Sequence, residues 1–265
     1  MSDSDKQVCF VYRLDIQCIM YEYIETISKN FDIVESKDYD DPNIIFAHIQ
    51  DIPSELTESQ IEHSFLINIE QMTNWHFDRV ISYNPDIRII DYSQANIHIL
   101  VSNGKLRNKI FYVPYCPNDS EIFNYEKIYD CCIIDPDTSR RLECINKIPN
   151  MDIITGWGRE RDEKLFRYKI LVNIHKHLDW KIYEEIRCSR CTFNKMIVIT
   201  EKSLPDPNYP LKDHIIECDY DDIPAMVKEV LNNYEFYYNK LFGNFDIEKV
   251  KADYVRITDN IITDL

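Results

Sequence analysis

Glycine is scarce in this chain: only four of 265 residues, Gly104, Gly156, Gly158 and Gly243. That excludes a GxGxxG fingerprint and a P-loop, since both need several glycines for close backbone approach to phosphate. Kinases, P-loop NTPases and ordinary dinucleotide dehydrogenases fall away with them. Long apolar runs are also missing, and no stretch reaches the roughly 18 to 20 residues that span a bilayer. Residues 1–6 are polar, with no signal-peptide core behind them, so the expectation is a cytoplasmic protein without a membrane span. Basic residues are outnumbered, 30 against 46 acidic, for a formal net charge of -16. A field of that sign disfavours nucleic acid and anionic membranes as partners. An anionic ligand would need a local positive pocket built from helix N-termini and a few Arg or Lys. The nine Cys, including the adjacent Cys131 and Cys132 in an apolar run, have no disulfide-framework spacing and read as small buried hydrophobes.

What is present can bury real cores: 45% hydrophobic residues, with 18 Tyr and 12 Phe. Short apolar runs alternate with longer amphipathic segments, the pattern of parallel sheets flanked by helices. The first half reads as strand 8–12, helix 15–30 and strands 43–47, 64–69, 79–82 and 109–113. Residues 93–100 fit either a strand or a short helix capped by Asp91 or Ser93. Residues 113–119, with two prolines and a turn-forming tail, form the best linker. The second half reads as strand 129–134, helix 138–147, strand 151–155, helix 160–168, strand 169–174, helix 181–192, strands 196–200 and 214–217, and one long helix from 221 to about 242. The repeating βα unit predicts a doubly wound domain. The expected organisation is an α/β protein of two Rossmann-like domains, 1–116 and 117–245, with an interdomain cleft. A helical segment, 246–265, is placed to pack back on the first domain.

Chemistry is expected where strands end, because open α/β sheets bind ligands outside their carboxyl edges. The loop Thr155-Gly-Trp-Gly-Arg159 spends two of the four glycines between a strand and a helix. It reads either as a tight turn or as a backbone cradle for an anion. Asn173, His175 and His177 follow the next strand, where exposed loop histidines are the plainer alternative. Glu184, Glu185, Arg187 and Arg190 on the following helix are explained by solvated ion pairs. Their functional alternative is a Glu near the first turn that accepts ribose hydroxyls while free amides hold a diphosphate. Zinc is poorly supported, since Cys188-x-x-Cys191 has no second Cys pair and falls within a helix.

The run KILVNIHKHLDWKIYEEIRCSRCTFNKMIVITEKS, residues 169–203, resembles the C-terminal domain of GT-B glycosyltransferases of the spore-maturation-protein and polysaccharide-biosynthesis type. DHIIECDYDDIPAMVKEVLNN, residues 213–233, is similar to that family's short strand, acidic turn and closing helix. LINIEQM at 66–72, RIIDYSQANI at 88–97 and YVPY at 112–115 match its N-terminal domain more loosely. The resemblance implies that Glu185, or Glu184 one step out of register, binds the donor ribose. It places Gly156 and Trp157 beside the donor base and His175 beside the diphosphate and sugar. Asn173 is taken with them on the donor side, and Arg187 and Glu201 match recurring polar positions. The chain departs from the commoner pattern before the ribose Glu, with Leu178-Asp-Trp-Lys181 in place of a Gly-rich turn. In inverting enzymes of this fold the base comes from the N-terminal domain, where Glu70 and Asp91 lie at expected strand ends. A composition rich in Ile, Asn, Asp, Lys and Tyr suggests an AT-rich genome, such as that of a large DNA virus.

The function this implies is sugar transfer from a nucleotide-sugar donor to a hydroxyl of a glycan or glycoprotein acceptor, with no cofactor. Asp135-Pro-Asp137 has DxD spacing but opens the second domain, so metal independence is expected, with helix dipole and side chains meeting the phosphate charge. The alternatives are a non-catalytic nucleotide-sugar or glycan-binding module on the same fold, or a nucleotide-sugar isomerase.

Overall fold

Runs of Ile, Val and Leu in this chain form parallel strands whose two faces are both covered, which is why they read as nearly continuous apolar stretches. The computed structural model describes residues 7–12, 23, 26, 31–36, 38, 40, 44–46, 55–72, 87–102, 110–156, 158–204 and 209–262. The chain forms two compact units, Met1–Tyr115 with Arg256–Leu265, and Cys116–Val255.

In the first unit the described elements are β1 (Gln7–Tyr12), β2 (Phe31–Ser36), β3 (Ile44–Phe46), α1 (Glu58–Glu62), β4 (Phe65–Asn68), β5 (Arg88–Asp91), α2 (Gln94–Ser102) and β6 (Ile110–Tyr112). The sheet runs β2-β1-β3-β4-β5-β6, and each pairing is parallel. Thr57 starts α1 with a capping box closed by Gln60, satisfying amides that the first turn leaves free. The ambiguous stretch after β5 is a helix. Ser93 accepts from the amide of Asn96 at 3.4 Å, and its carbonyl receives the amide of Ile97 at 3.1 Å. Tyr23 and Thr26 are helical; the rest of the expected helix 15–30 and the expected strand 79–82 lie outside the described residues.

The second unit contains β7 (Tyr129–Ile134), α3 (Ser139–Ile145), β8 (Met151–Ile154), α4 (Gly158–Leu165), β9 (Tyr168–Asn173), α5 (Glu185–Phe193), β10 (Ile197–Glu201), β11 (Ile215–Cys218), α6 (Ile223–Asn232) and α7 (Tyr234–Phe242), and α8 (Ile247–Ile262) begins in it and passes to the first unit at Arg256. Its parallel sheet runs β11-β10-β9-β7-β8. Strand order reverses at β7, with β8 on one side and β9 on the other, so the switch point lies between β7 and β9. Doubly wound sheets open their ligand crevice at that point. Ile170, Val172 and Ile174 pack on one face with Cys144, Val227 and Val230. Leu171 packs on the other with Leu165, Cys188 and Cys191. Cys116, Cys131, Cys132, Cys144, Cys188, Cys191 and Cys218 are buried free thiols.

Two expectations are corrected. The long helix from 221 is broken at Asn233, whose backbone leaves the helical region (φ -126°, ψ 35°). Its side-chain amide turns back to the carbonyl of Glu229 at 3.2 Å. The helix expected over 181–192 starts only at Glu185. The carbonyl of Lys181 is taken by the amide of Leu204 at 2.7 Å, and Trp180 closes a turn onto His177 at 3.2 Å. Residues 180–184 are therefore tied into loop structure, and Glu184 becomes the cap.

One half-buried cation holds the amino-terminal strap of this unit. The ammonium of Lys127 donates to the carbonyls of Phe166 at 2.6 Å and Asn194 at 2.7 Å. These carbonyls follow α4 and α5, where helix C-termini present unpaired acceptors and partial negative charge. Burial lowers the lysine's pKa to about 8, and the two carbonyls compensate its charge. Lys127→Ala is expected to cost about 2 to 4 kcal/mol, because two bonds to a charged donor disappear and both acceptors stay buried. Urea denaturation of the purified variant measures it.

Candidate functional site

The crevice edge of the second unit is built by side chains from α3 and from the loops after β7, β9 and β10. Arg140 and Arg141 sit on the first turn of α3, which Thr138 caps through the amide of Arg141. Arg140 grips Glu201 with both terminal nitrogens, at 2.8 and 2.5 Å, and also donates to the carbonyl of His175 at 2.9 Å. Its guanidinium lies 4.1 Å from the centre of the Tyr220 ring, and the Tyr220 hydroxyl donates to the carbonyl of Arg140 at 2.7 Å. Arg141, buried, donates from Nε to the carbonyl of Ile174 at 2.8 Å and from Nη2 to Glu184 at 2.8 Å. Its Nη1 meets Asp137 at 3.3 Å, and Lys176 meets the other oxygen of Asp137 at 2.5 Å. The second oxygen of Glu184 pairs with Arg187 at 2.5 Å.

His175, Glu184, Arg187 and Glu201 are thus brought into one connected cluster. Both oxygens of Glu184 are held by arginines, whereas Glu185 is the first helical residue and only 3% exposed. Glu201 also accepts the amide of His175 at 3.2 Å, so it shapes the loop after β9 as well as Arg140. Asn173 is buried and donates to Thr200 Oγ1 at 3.1 Å. Burial is the largest influence on His175 and holds its pKa below the ordinary 6.5, so its ring is neutral at pH 7. Gly156 (φ +86°) lines an open cleft with Thr155, Glu160, Arg161 and Lys164. Trp157 lies outside the described residues.

The sequence reading missed Arg140, Arg141 and Lys176. The first two occupy an ordinary amphipathic helix, and only the switch point between β7 and β9 marks its first turn as a site. Adjacent arginines three positions after Asp137, at a βα junction, were the available signal. Among the described residues, no group of three His, Cys, Asp or Glu converges as metal ligands.

In the first unit, Asp91 ends β5 fully buried. It accepts from Asn68 Nδ2 at 2.6 Å, the amide of Ser93 at 2.8 Å and Asn96 Nδ2 at 3.1 Å. Both asparagine amides also donate to the carbonyl of Glu70, each at 3.0 Å, and Asn68 Oδ1 receives the amide of Glu70 at 3.3 Å. Asn96 Oδ1 takes the amide of Met72 at 2.8 Å. This network grips residues 70–72 by their backbone, and the half-buried carboxylate of Glu70 takes no part in it. Burial pushes the Asp91 carboxyl up to about 7 against three donors that favour its charged form.

No protein-family model matches the chain. An uncharacterised protein of Acanthamoeba polyphaga mimivirus is 28% identical over 221 residues, covering 77% of this chain and 71% of that protein. A second uncharacterised mimivirus protein is 30% identical over 239 residues. There the match covers 81% of this chain but only 32% of the relative. Among solved structures, Anabaena HepE in complex with UDP-glucose matches with a TM-score of 0.61 at 6% identity, covering 97% of this chain and 98% of that one. An α1,3-fucosyltransferase matches with a TM-score of 0.50 at 10% identity, covering 98% and 92%. At these identities the likeness is one of fold. Among the described residues, no helix is long and apolar enough to cross a membrane.

The buried carboxyl gives a stability test. With a folded pKa of about 7 against about 3.9 unfolded, Asp91 contributes stability that is complete below the unfolded value. That contribution is lost as pH rises through the folded one, about 4 kcal/mol in all. Denaturant midpoints measured from pH 4 to 8 should fall more steeply for wild type than for Asp91→Asn, which cannot ionise. Parallel profiles would contradict the assignment.

Proposed function

We propose that the chain is a GT-B glycosyltransferase that moves a sugar from a nucleotide-sugar to a hydroxyl of a glycan or glycoprotein acceptor without a metal ion. The observation that carries this reading is the cluster at the β7/β9 switch point, where a helix start, arginines and buried polar groups meet. The fold shared with HepE, whose structure holds UDP-glucose, and with a fucosyltransferase whose complex holds GDP-fucose, supports the same reading.

In this scheme the first-turn amides of α5 face the diphosphate. Glu185 accepts the ribose hydroxyls, and the loop at Gly156 and Trp157 lies beside the base. Arg140 and Glu201 hold the loop after β9 in shape. Phosphate charge developing on the leaving group is met by amides and Lys176. Glu70 is the candidate base in the first unit. Asp91, buried and engaged by three donors, acts instead by positioning the backbone of Glu70.

A second reading, a non-catalytic nucleotide-sugar-binding module, is favoured by that same burial, because it leaves Glu70 as the one base candidate put forward. One experiment separates them. UDP-glucose and GDP-fucose are incubated with the protein in excess chelator, and released nucleotide is followed. Release that Glu70→Gln abolishes, with donor binding retained, supports the transferase. Donor-induced thermal stabilisation without release supports the module, and activity restored only by Mg²⁺ or Mn²⁺ overturns metal independence.

The donor assignment also predicts an affinity change. Glu185→Ala removes two charge-assisted bonds to ribose, roughly 1.5 to 3 kcal/mol each before water compensates. Donor affinity should fall by about tenfold or more in calorimetric titration. Glu184→Ala should matter less to the hydroxyls, since Arg141 and Arg187 already occupy both oxygens. Unchanged affinity in both variants would remove the ribose assignment.

A further inference from the structure

A cavity of about 590 Å³ opens in the second unit between the strap leading into β7 and residues of α7 and the start of α8. Its volume is in the range of small-molecule sites. Lys127 precedes β7 by two residues and Lys195 precedes β10 by two, so the cavity lies at the amino edge of the parallel sheet. Strands β7 and β9, six residues each and so roughly 20 Å long, separate it from the crevice edge.

Its walls are held in place by the protein alone. Asn194 accepts the amide of Phe123 at 2.6 Å and donates to the carbonyl of Glu121 at 2.9 Å, while Lys127 fixes the other end of the strap. Phe123 stacks on Tyr125 and on Phe166, with ring centres 5.3 Å apart in each case. On the α7 side, Tyr234 and Tyr238 stand one turn apart with ring centres at 5.6 Å. A cavity shaped in this way loses little freedom when a ligand enters.

The polar groups that line it are uncommitted. Among the described residues, the side chains of Glu126, Lys195 and Glu235 and the hydroxyl of Tyr238 make no hydrogen bond or ion pair. At the crevice, by contrast, Arg140, Arg141 and Lys176 are all paired. Lys195 also carries a backbone strain. Its amide bonds the carbonyl of Thr192, and the amide of Met196 bonds that of Cys191, both at 2.9 Å. This pair of bonds closes α5 as a Schellman motif, and the φ of +52° at Lys195 belongs to the position that glycine usually fills. A long side chain is kept there against the backbone preference of an L-residue, and it lines the cavity unpaired.

We propose that this cavity is a second binding site, separate from the crevice, for a neutral oligosaccharide. Charge disfavours an ion, because the carboxylates of Glu126 and Glu235 are balanced by the ammonium groups of Lys127 and Lys195. Carboxylates only accept and ammonium groups only donate, whereas a sugar hydroxyl does either and can serve both. Aromatic carbon set among such groups suits a ligand whose C–H and O–H groups alternate around each ring. The proposal does not rest on the donor-site reading, and it would give a transferase or a binding module alike a separate hold on a glycan.

Saturation-transfer NMR followed by calorimetric titration of the full chain tests it. The neutral probes are maltotriose, cellotriose, mannotriose and triacetylchitotriose; trigalacturonate, the glucosamine trisaccharide and adenosine are the contrasting ones. At least one neutral trisaccharide should bind, and saturating UDP-glucose should leave it bound. Lys195→Gly and Glu235→Ala should each weaken that binding about tenfold, the loss of a hydrogen bond to a charged group. Lys195→Gly should meanwhile hold or raise the denaturation midpoint, since glycine accepts the positive φ without strain, so weaker binding cannot come from a damaged fold. No binding of any neutral probe at millimolar concentration, displacement by UDP-glucose, unchanged affinity in both variants, or tighter binding of a contrasting probe would each overturn the second site. The donor reading fails separately, if no nucleotide or nucleotide-sugar binds.

Discussion

The bidentate pair between Arg140 and Glu201 ties together the ends of three central elements of the second unit. Arg140 stands on the first turn of α3, Glu201 ends β10, and both reach the backbone of His175 after β9. Tyr220 covers the guanidinium from the turn after β11. Arg141 adds a second hold one residue earlier, on the carbonyl of Ile174. A chain with four glycines cannot shape a ligand loop mainly by close backbone approach, and here guanidinium groups bind loop carbonyls instead. Planar, always-charged donors suit this, since they fix two acceptors in one plane and stay ionised when partly buried.

The first unit solves a similar problem with neutral amides around one acid. Asn68 and Asn96 each use their amide group to join Asp91 to the backbone of Glu70, and Asn96 extends the hold to Met72. Three donors stabilise the anion of Asp91, yet full burial wins and its carboxyl titrates near neutrality. The network around it fixes the backbone of residue 70 at both its amide and its carbonyl.

Element order was legible in the second unit because parallel strands covered on both faces are apolar throughout, and the helices between them carry a helical period; in the first unit β2, with Asp32 and Glu35 among its six residues, and β5, a run of only four, were not expected as strands. What sequence left unread depended on tertiary partners. The start of α5 moved to Glu185 because the carbonyl of Lys181 pairs with Leu204, a contact across two loops. Asn233 breaks a helix whose apolar stripe continues across the break, from Val230 to Leu241. Asp91 and Glu70 looked alike as strand-end carboxylates, and only packing separates the buried acid from the half-buried one. Arg140 and Arg141 carried no motif, and strand order alone places them at the crevice edge.

Those arginines also bear on how a strongly acidic chain could hold an anion. Surface charges farther than about 8 Å are largely screened at physiological ionic strength, so the net charge of -16 matters less to a bound diphosphate than the nearest groups. Those groups are already paired, and the pairs differ in how readily they yield. Arg140 and Glu201 are both mostly buried and doubly bonded, so separating them would strand a charge. Lys176 and Asp137 are partly exposed, with a single contact, and exposed pairs are worth little. On the donor-site reading, Lys176 is therefore the cation free to turn towards phosphate, while Arg140 and Arg141 keep the loop in shape.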